Sequence, residues 1–168
     1  NMNINYFSCV PPYNQEAARE ALENPLSKQA VQNMVDTFEL RRDLIWDQIN
    51  KIHGISCQKP GGAFYLFPNI SKVCENLDLI NKHQRLPPEE QSSPANIFQM
   101  FSLYEHRVAV LDRNSFGQIG SDGKHFIRLS IAAEQTKLEE GVKRIKAAAE
   151  DVSGLEKFLK KRPDMNLV

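Results

Sequence analysis

The chain has 168 residues, 41% of them hydrophobic, and 21 basic residues balance 21 acidic ones. This length suggests one domain with a real core and no need of disulfide staples. Zero net charge gives no electrostatic reason for a nucleic acid or an anionic membrane as partner. Cys9, Cys57 and Cys74 are odd in number and far apart, which fits a reducing, cytoplasmic compartment and argues against both a disulfide framework and a zinc site. His53, His83, His106 and His125 show no metal-ligand spacing, and no apolar run approaches the ~20 residues of a membrane span. Asn1-Met2-Asn3 leads at once into the apolar Tyr6-Phe7, which reads like the interior of a polypeptide rather than its beginning.

In chain order, residues 3–9 read as extended and are ended by Pro11-Pro12. Asn14 is placed to cap a short helix over Gln15 to Leu22, which Asn24-Pro25 stops. Ser27 can cap a second helix running to about Ile52. Its apolar residues (Val31, Val35, Phe38, Ile45, Ile49, Ile52) recur at the amphipathic period, and Gly54 suits its C-terminal cap. Ile55 to Gln58 and Ala63 to Phe67 are strand candidates around the turn Lys59-Pro60-Gly61-Gly62. A helix is expected over residues 71–82, a polar loop over 84–94, and another helix over Ala95 to Glu105. Val108 to Leu111 and Phe126 to Ile131 complete the strands, and helices from Thr136 and from Ser153 to Lys161 close the chain. The order predicts an α/β (α+β) sandwich: a small mixed or antiparallel sheet of three or four strands covered by helices on one face.

Most candidate motifs have ordinary readings. Gly117-x-x-Gly120-x-x-Gly123 lies between two strands, not at the strand–helix junction that phosphate cradling needs. Ser27-Lys28 opens an amphipathic helix, Arg41-Arg42 fits a solvated helix face, and Cys57 has no acid or histidine beside it. Arg128 is different. It sits in Phe126-Ile127-Arg128-Leu129-Ser130-Ile131, a run that otherwise reads as buried strand, where a fixed charge needs an anionic partner. That partner could be an internal carboxylate or the carboxylate of a ligand, which a guanidinium fork meets at two points. Gly61-Gly62-Ala63 marks a place where small residues permit close approach.

Four blocks occur in a fixed order: Gln15-Glu16-Ala17-Ala18 with Ala21-Leu22; Arg41-Arg42-Asp43-Leu44; Lys59-Pro60-Gly61-Gly62-Ala63-Phe64-Tyr65; and Val108-Ala109-Val110, Phe116-Gly117 and Phe126-Ile127-Arg128-Leu129-Ser130. Together, from about residue 5 to 149, they resemble the C-terminal small domain of a class I/II aminotransferase of fold type I, the pyridoxal-phosphate-dependent enzymes, in the aspartate-aminotransferase-like branch. The resemblance implies that Arg128 binds the α-carboxylate of an amino-acid or 2-oxo-acid substrate, and that Gly62, Ala63 and Phe64 lie near it. It implies pyridoxal 5'-phosphate as cofactor, held by a large domain whose Schiff-base lysine, pyridine-binding aspartate and phosphate loop have no counterpart here. The chain is therefore expected to carry no catalytic, cofactor-binding or metal residue, to be inactive alone, and to serve a homodimeric transaminase. By the same likeness, residues 1–26 form a linker and short helix, 27–150 the small domain, and 151–168 a C-terminal helix and tail. One departure is Leu111-Asp112-Arg113, where relatives carry Val-Pro-Gly. A stand-alone domain that binds carboxylates or a protein, or the small domain of a related enzyme with another reaction, are the alternatives.

Overall fold

The computed structural model describes residues 10–84, 93–117 and 123–161. The chain divides into two compact units, residues 1–39 and 40–168. The expectations for residues 3–9, for most of the 84–94 loop, for Gly120 and for the tail lie outside the described residues.

The first unit contains α1 (Pro12–Glu23) and the start of α2 (Ser27–Asn50). The first helix begins three residues before the expected Gln15. Proline suits the first helical position, because its missing N–H would have had no partner there. Asn14 is thus inside the first turn, its N–H donating to the Pro11 carbonyl at 3.0 Å. The Asn24 side chain accepts the Leu26 N–H at 2.8 Å, so Asn24 shapes the entry to α2 and Ser27 is already helical. Arg19 bridges Glu16 and Glu23 across successive turns of α1.

The second unit holds the core. Ile45 and Ile49 of α2 are buried in it, and Gly54, at φ +85°, ends the turn after the helix. Residues 55–58 do not form the expected strand. A single antiparallel bridge joins Ser56 to Asn69, and the Asn50 carboxamide does the rest: its oxygen accepts the Cys57 N–H at 2.8 Å and its NH2 donates to the Cys57 carbonyl at 3.1 Å. The Trp46 indole donates to the same carbonyl at 2.8 Å. A side chain thereby replaces a partner strand.

The sheet has three antiparallel strands, β1 (Tyr65–Leu66), β2 (Leu111–Asp112) and β3 (Ile127–Ser130), in the order β1-β3-β2. Tyr65 pairs with Ser130 and Leu66 with Leu129; Leu111 pairs with Arg128 and Asp112 with Ile127. All strands are shorter than expected. Pro68 has no N–H to extend β1, and Arg107 at φ +54° turns the chain just before Val108. Alternation places Leu66, Ile127, Leu129 and Asp112 on the buried side and leaves Tyr65, Leu111, Arg128 and Ser130 on the other.

The helix expected over 71–82 is two, α3 (Ser71–Asn76) and α4 (Leu79–Gln84). Asp78 sits between them at φ +56°, a conformation aspartate tolerates better than most residues, and its carboxylate accepts the Asn81 NH2. The remaining helices are α5 (Pro94–Tyr104), α6 (Gln135–Glu150) and α7 (Val152–Lys161). Packed with the sheet, they bury Phe98, Phe101, Phe158, Ile145 and Leu155. Helix α7 starts one residue early because Asp151 caps it, its Oδ1 accepting the Gly154 N–H at 2.8 Å. No helix of the described residues is long and apolar enough to cross a membrane.

Candidate carboxylate-binding site

Arg128 lies on the central strand, half-buried, on the face opposite the core. Its Cζ stands 4.2 Å from the centroid of the Tyr65 ring and 4.2 Å from that of Phe116. Tyr65 comes from β1. Phe116 comes from the 3-10 turn Arg113–Phe116 that follows β2. Since β3 lies between those strands, the two rings reach the guanidinium from opposite sides. Among the described residues Arg128 makes no ion pair, although the surface elsewhere pairs charges freely, as at Arg144–Glu140 and Lys51–Asp47. The guanidinium carbon lies over two aromatic rings while its donors meet no acid of the described chain.

A second rank of aromatics backs the first. Phe64 stacks at a tilt on Tyr65 with centroids 4.4 Å apart, and Phe67 meets Phe116 edge-on at 6.4 Å. The Phe64 carbonyl accepts the Ile131 N–H at 3.0 Å, which ties the Gly62-Ala63-Phe64 segment to the end of β3. Ala63 holds φ +60°, a turn most side chains avoid, and nothing stands near the space where Cβ atoms on Gly61 or Gly62 would be. The segment therefore has open room in front of it, a short distance along the chain from Tyr65.

The turn that carries Phe116 is built on a residue the sequence reading passed over. Asp112 is only 3% exposed. Its carboxylate accepts the Asn114 N–H at 3.1 Å and the Ser93 hydroxyl at 2.5 Å, and its own N–H donates to the Gln99 side chain at 2.6 Å. Gly117, at φ +98°, closes the turn with its N–H on the Asn114 carbonyl. Asp112 falls in the departure already noted, Leu111-Asp112-Arg113. The departure, once seen, was the available signal: an Asp two residues before an Asn in Asp112-Arg113-Asn114-Ser115 is a capping pattern.

An open cleft of about 570 Å3 lies alongside, lined by Ser56, Lys59, Tyr65, Phe67, Lys124 and Phe126 among others. Arg128 does not line it; Tyr65 is common to both. Lys59 is held there by Asp43 at 2.8 Å and sits over the Trp46 ring. Arg42 first, then Lys59, holds the Asp43 carboxyl below the usual carboxylate range. Two groups weighed in the sequence have structural places. Cys57 is buried and its thiol is pushed up by that burial, while Ser27-Lys28 forms a helix start with Ser27 half-buried and Lys28 exposed. Burial, with the charges of Asp112 and Glu75, pushes the Cys74 thiol up to about 12. Among the described residues no group of histidines, cysteines and carboxylates could hold a metal ion.

No family model matches the chain. Curated relatives do. The chain is 36% identical over 152 residues to the probable aspartate/prephenate aminotransferase of Aquifex aeolicus, covering 90% of this chain and 34% of that protein. It is 33% identical over 138 residues to the aromatic-amino-acid aminotransferase 2 of Thermococcus litoralis, covering 82% and 30%. Among solved structures, the aspartate aminotransferase of Rhizobium meliloti superposes with a TM-score of 0.68 at 27% identity, over 89% of this chain and 34% of that one. The chain thus spans about a third of the length of the curated relatives it matches. With its small antiparallel sheet, its helices and these matches, the chain belongs to the fold type I aminotransferases, in the aspartate-aminotransferase-like branch, as a small-domain portion of them.

Proposed function

We propose that this chain is the C-terminal, carboxylate-binding part of a transaminase that moves an amino group between an amino acid and a 2-oxo acid, and that Arg128 grips the α-carboxylate. The observation that carries this is the guanidinium itself: on the open face of β3, stacked on two rings, with no acidic partner among the described residues. A buried internal ion pair was the competing reading, and nothing described pairs with it. An arginine so placed offers two parallel N–H donors in one plane, the geometry a carboxylate accepts. Gly62, Ala63 and Phe64 form the wall beside the bound acid, where the chain leaves room. In this reading residues 1–26 are the linker and short helix, 27–150 the small domain and 151–168 the closing helix and tail, and the whole enzyme works as a homodimer.

Pyridoxal phosphate, in this proposal, belongs to the rest of the polypeptide and supplies the electron sink for the reaction. In this reading none of the described residues holds it: both lysines that line the cleft beside the sheet, Lys59 and Lys124, are exposed, and Lys59 is committed to Asp43. The chain's share is to bind and orient the substrate and to keep water from it.

The test is Arg128→Lys in the full-length enzyme that carries this chain. A point charge cannot reproduce a two-point grip. We expect kcat/KM to fall on the order of a hundredfold or more, about 3 kcal/mol of lost transition-state binding. A near-normal kcat/KM would remove Arg128 from the site. A donor screen with aspartate, aromatic, alanine and branched substrates then assigns the substrate.

A further inference from the structure

We infer that Tyr65 and Phe116 are positioning residues: the pair clamps the Arg128 guanidinium between two rings, so that only its edge is presented to a carboxylate. This rests on the carboxylate-binding reading of Arg128 and adds two residues to it. The physical argument starts from the shape of the group. A guanidinium is flat, and all its N–H bonds lie in its plane. Cζ lies over two rings at 4.2 Å each, one carried by β1 and one by the turn after β2, the strands that flank β3. The charge is favoured over the electron-rich faces of those rings without consuming a single donor. An unclamped arginine side chain would have to give up its rotamer freedom on each binding event; a clamped one has largely given it up already.

The clamp is itself held. Phe116 is 52% exposed and sits on a four-residue turn that contributes no buried residue. That turn is nevertheless fixed at both ends: Asp112 caps its start through Asn114, and Gly117 ends it in a left-handed conformation. Tyr65, on the neighbouring strand β1, is pinned by its pairing with Ser130 of Arg128's own strand. Phe64 and Phe67 brace the two rings from outside. An exposed ring on a rigid turn, aimed at a cation rather than at the core, is what a clamp requires and what core packing does not.

The test compares variants that keep a ring with variants that keep only bulk, in the full-length enzyme. Phe116→Leu and Tyr65→Leu should raise KM for the amino-acid donor, and Ki for a carboxylate inhibitor lacking the amino group, by roughly three- to tenfold. The kcat should stay within about twofold, because the lost interaction is made equally in ground and transition states. Phe116→Tyr and Tyr65→Phe should restore the parent KM. On an Arg128→Lys background, Phe116→Leu should change KM no further, since the clamp acts through the guanidinium. Leucine variants with parent KM, ring-keeping variants that fall as far as leucine, or a full effect surviving on the Arg128→Lys background would each overturn the clamp. An Arg128→Lys enzyme with near-normal kcat/KM overturns the carboxylate reading beneath it instead, so the two failures are distinguishable. Should a leucine variant not fold, the parent decides the matter. With labelled arginine, the Arg128 Nε–H signal should lie upfield, shifted by ring currents from both sides, and move when the carboxylate inhibitor is added. A signal at the solvent-exposed arginine position overturns the sandwich.

Discussion

Ser93→Ala removes one hydroxyl that serves two partners. Ser93 is the N-cap of α5, its Oγ accepting the Asn96 N–H at 2.9 Å, and the same hydroxyl donates to Asp112 at 2.5 Å. Both residues are buried, at 4% and 3% exposure, so water does not replace what is lost. Losing the cap costs about 1 kcal/mol. Losing a hydrogen bond to a buried carboxylate costs about 1.5–3 kcal/mol more. We therefore expect Ser93→Ala to destabilise by about 3 kcal/mol, against about 1 kcal/mol for an ordinary cap. The assay is urea unfolding followed through Trp46, the single tryptophan, which lies in the same unit and bonds to the Cys57 carbonyl. Asp112→Asn supplies the second edge of a double-mutant cycle with Ser93→Ala. A coupling of about 1–2 kcal/mol between the two is expected for residues sharing one buried bond. A coupling near zero, with Ser93→Ala no worse than cap loss, would refute the claim that this link joins α5 to the turn that carries Phe116.

Glycine position decides the sign of a second prediction. In α6, a Cβ on Gly141 would meet Val108 at an ordinary 3.9 Å, so Gly141→Ala should stabilise by about 0.5–1 kcal/mol. In α7, a Cβ on Gly154 would collide with the Asp151 carboxylate that caps the helix, so Gly154→Ala should gain nothing or lose stability; equal gains in urea midpoint would contradict this. Stability should also fall on mild acidification. Burial lowers both His83 and His125 below the usual histidine value, so the unfolded chain binds protons that the folded chain refuses. Stability held at neutral pH is therefore lost progressively as pH drops below about 6.5 and towards the lower folded values. Thermal midpoints between pH 7.5 and 5 should show the slope, and His125→Gln should flatten it; an unchanged slope in that variant would assign the effect elsewhere. Finally, Cys74, pushed up to about 12, should resist thiol reagents at pH 8 in the native protein and react at a rate that tracks unfolding.

The helices were legible because their apolar residues repeat at helical spacing and their ends carry chemical stop signals; Asn24 caps α1 where expected, while α2 ends at Asn50 and Gly54 closes the turn after it. Several of the errors trace to single polar residues rather than to the apolar pattern. Asn50 takes the place of a strand partner for Cys57, Asp78 breaks a periodic helix at positive φ, and Asp112 roots a turn from beneath the sheet. Periodicity reports which face is buried and says nothing of such bonds. Arg128 stood out for the opposite reason, as a charge that violates its strand's pattern. Its two aromatic neighbours did not, because Tyr65 and Phe116 lie 63 and 12 residues away in sequence and only the strand order brings them together.

That strand order also explains why the arginine belongs on β3 rather than on either edge. A central strand has a neighbour on each side, so a residue on its open face can be flanked twice; an edge strand offers one flank only. The β1-β3-β2 order supplies Tyr65 from one side and the turn after β2 from the other. The register matters as much as the order. Leu111 opposes Arg128, so the chain leaving β2 passes Asp112 and returns over the open face within one short turn. Moving β2 by one residue would invert Asp112 and Leu111, exposing the carboxylate beside the guanidinium and burying the leucine. An internal ion pair would then become available, and Arg128 would have a partner within its own sheet. The buried placement of Asp112, fixed by Ser93 and Gln99, keeps the nearest carboxylate in the sheet on the opposite face from the arginine.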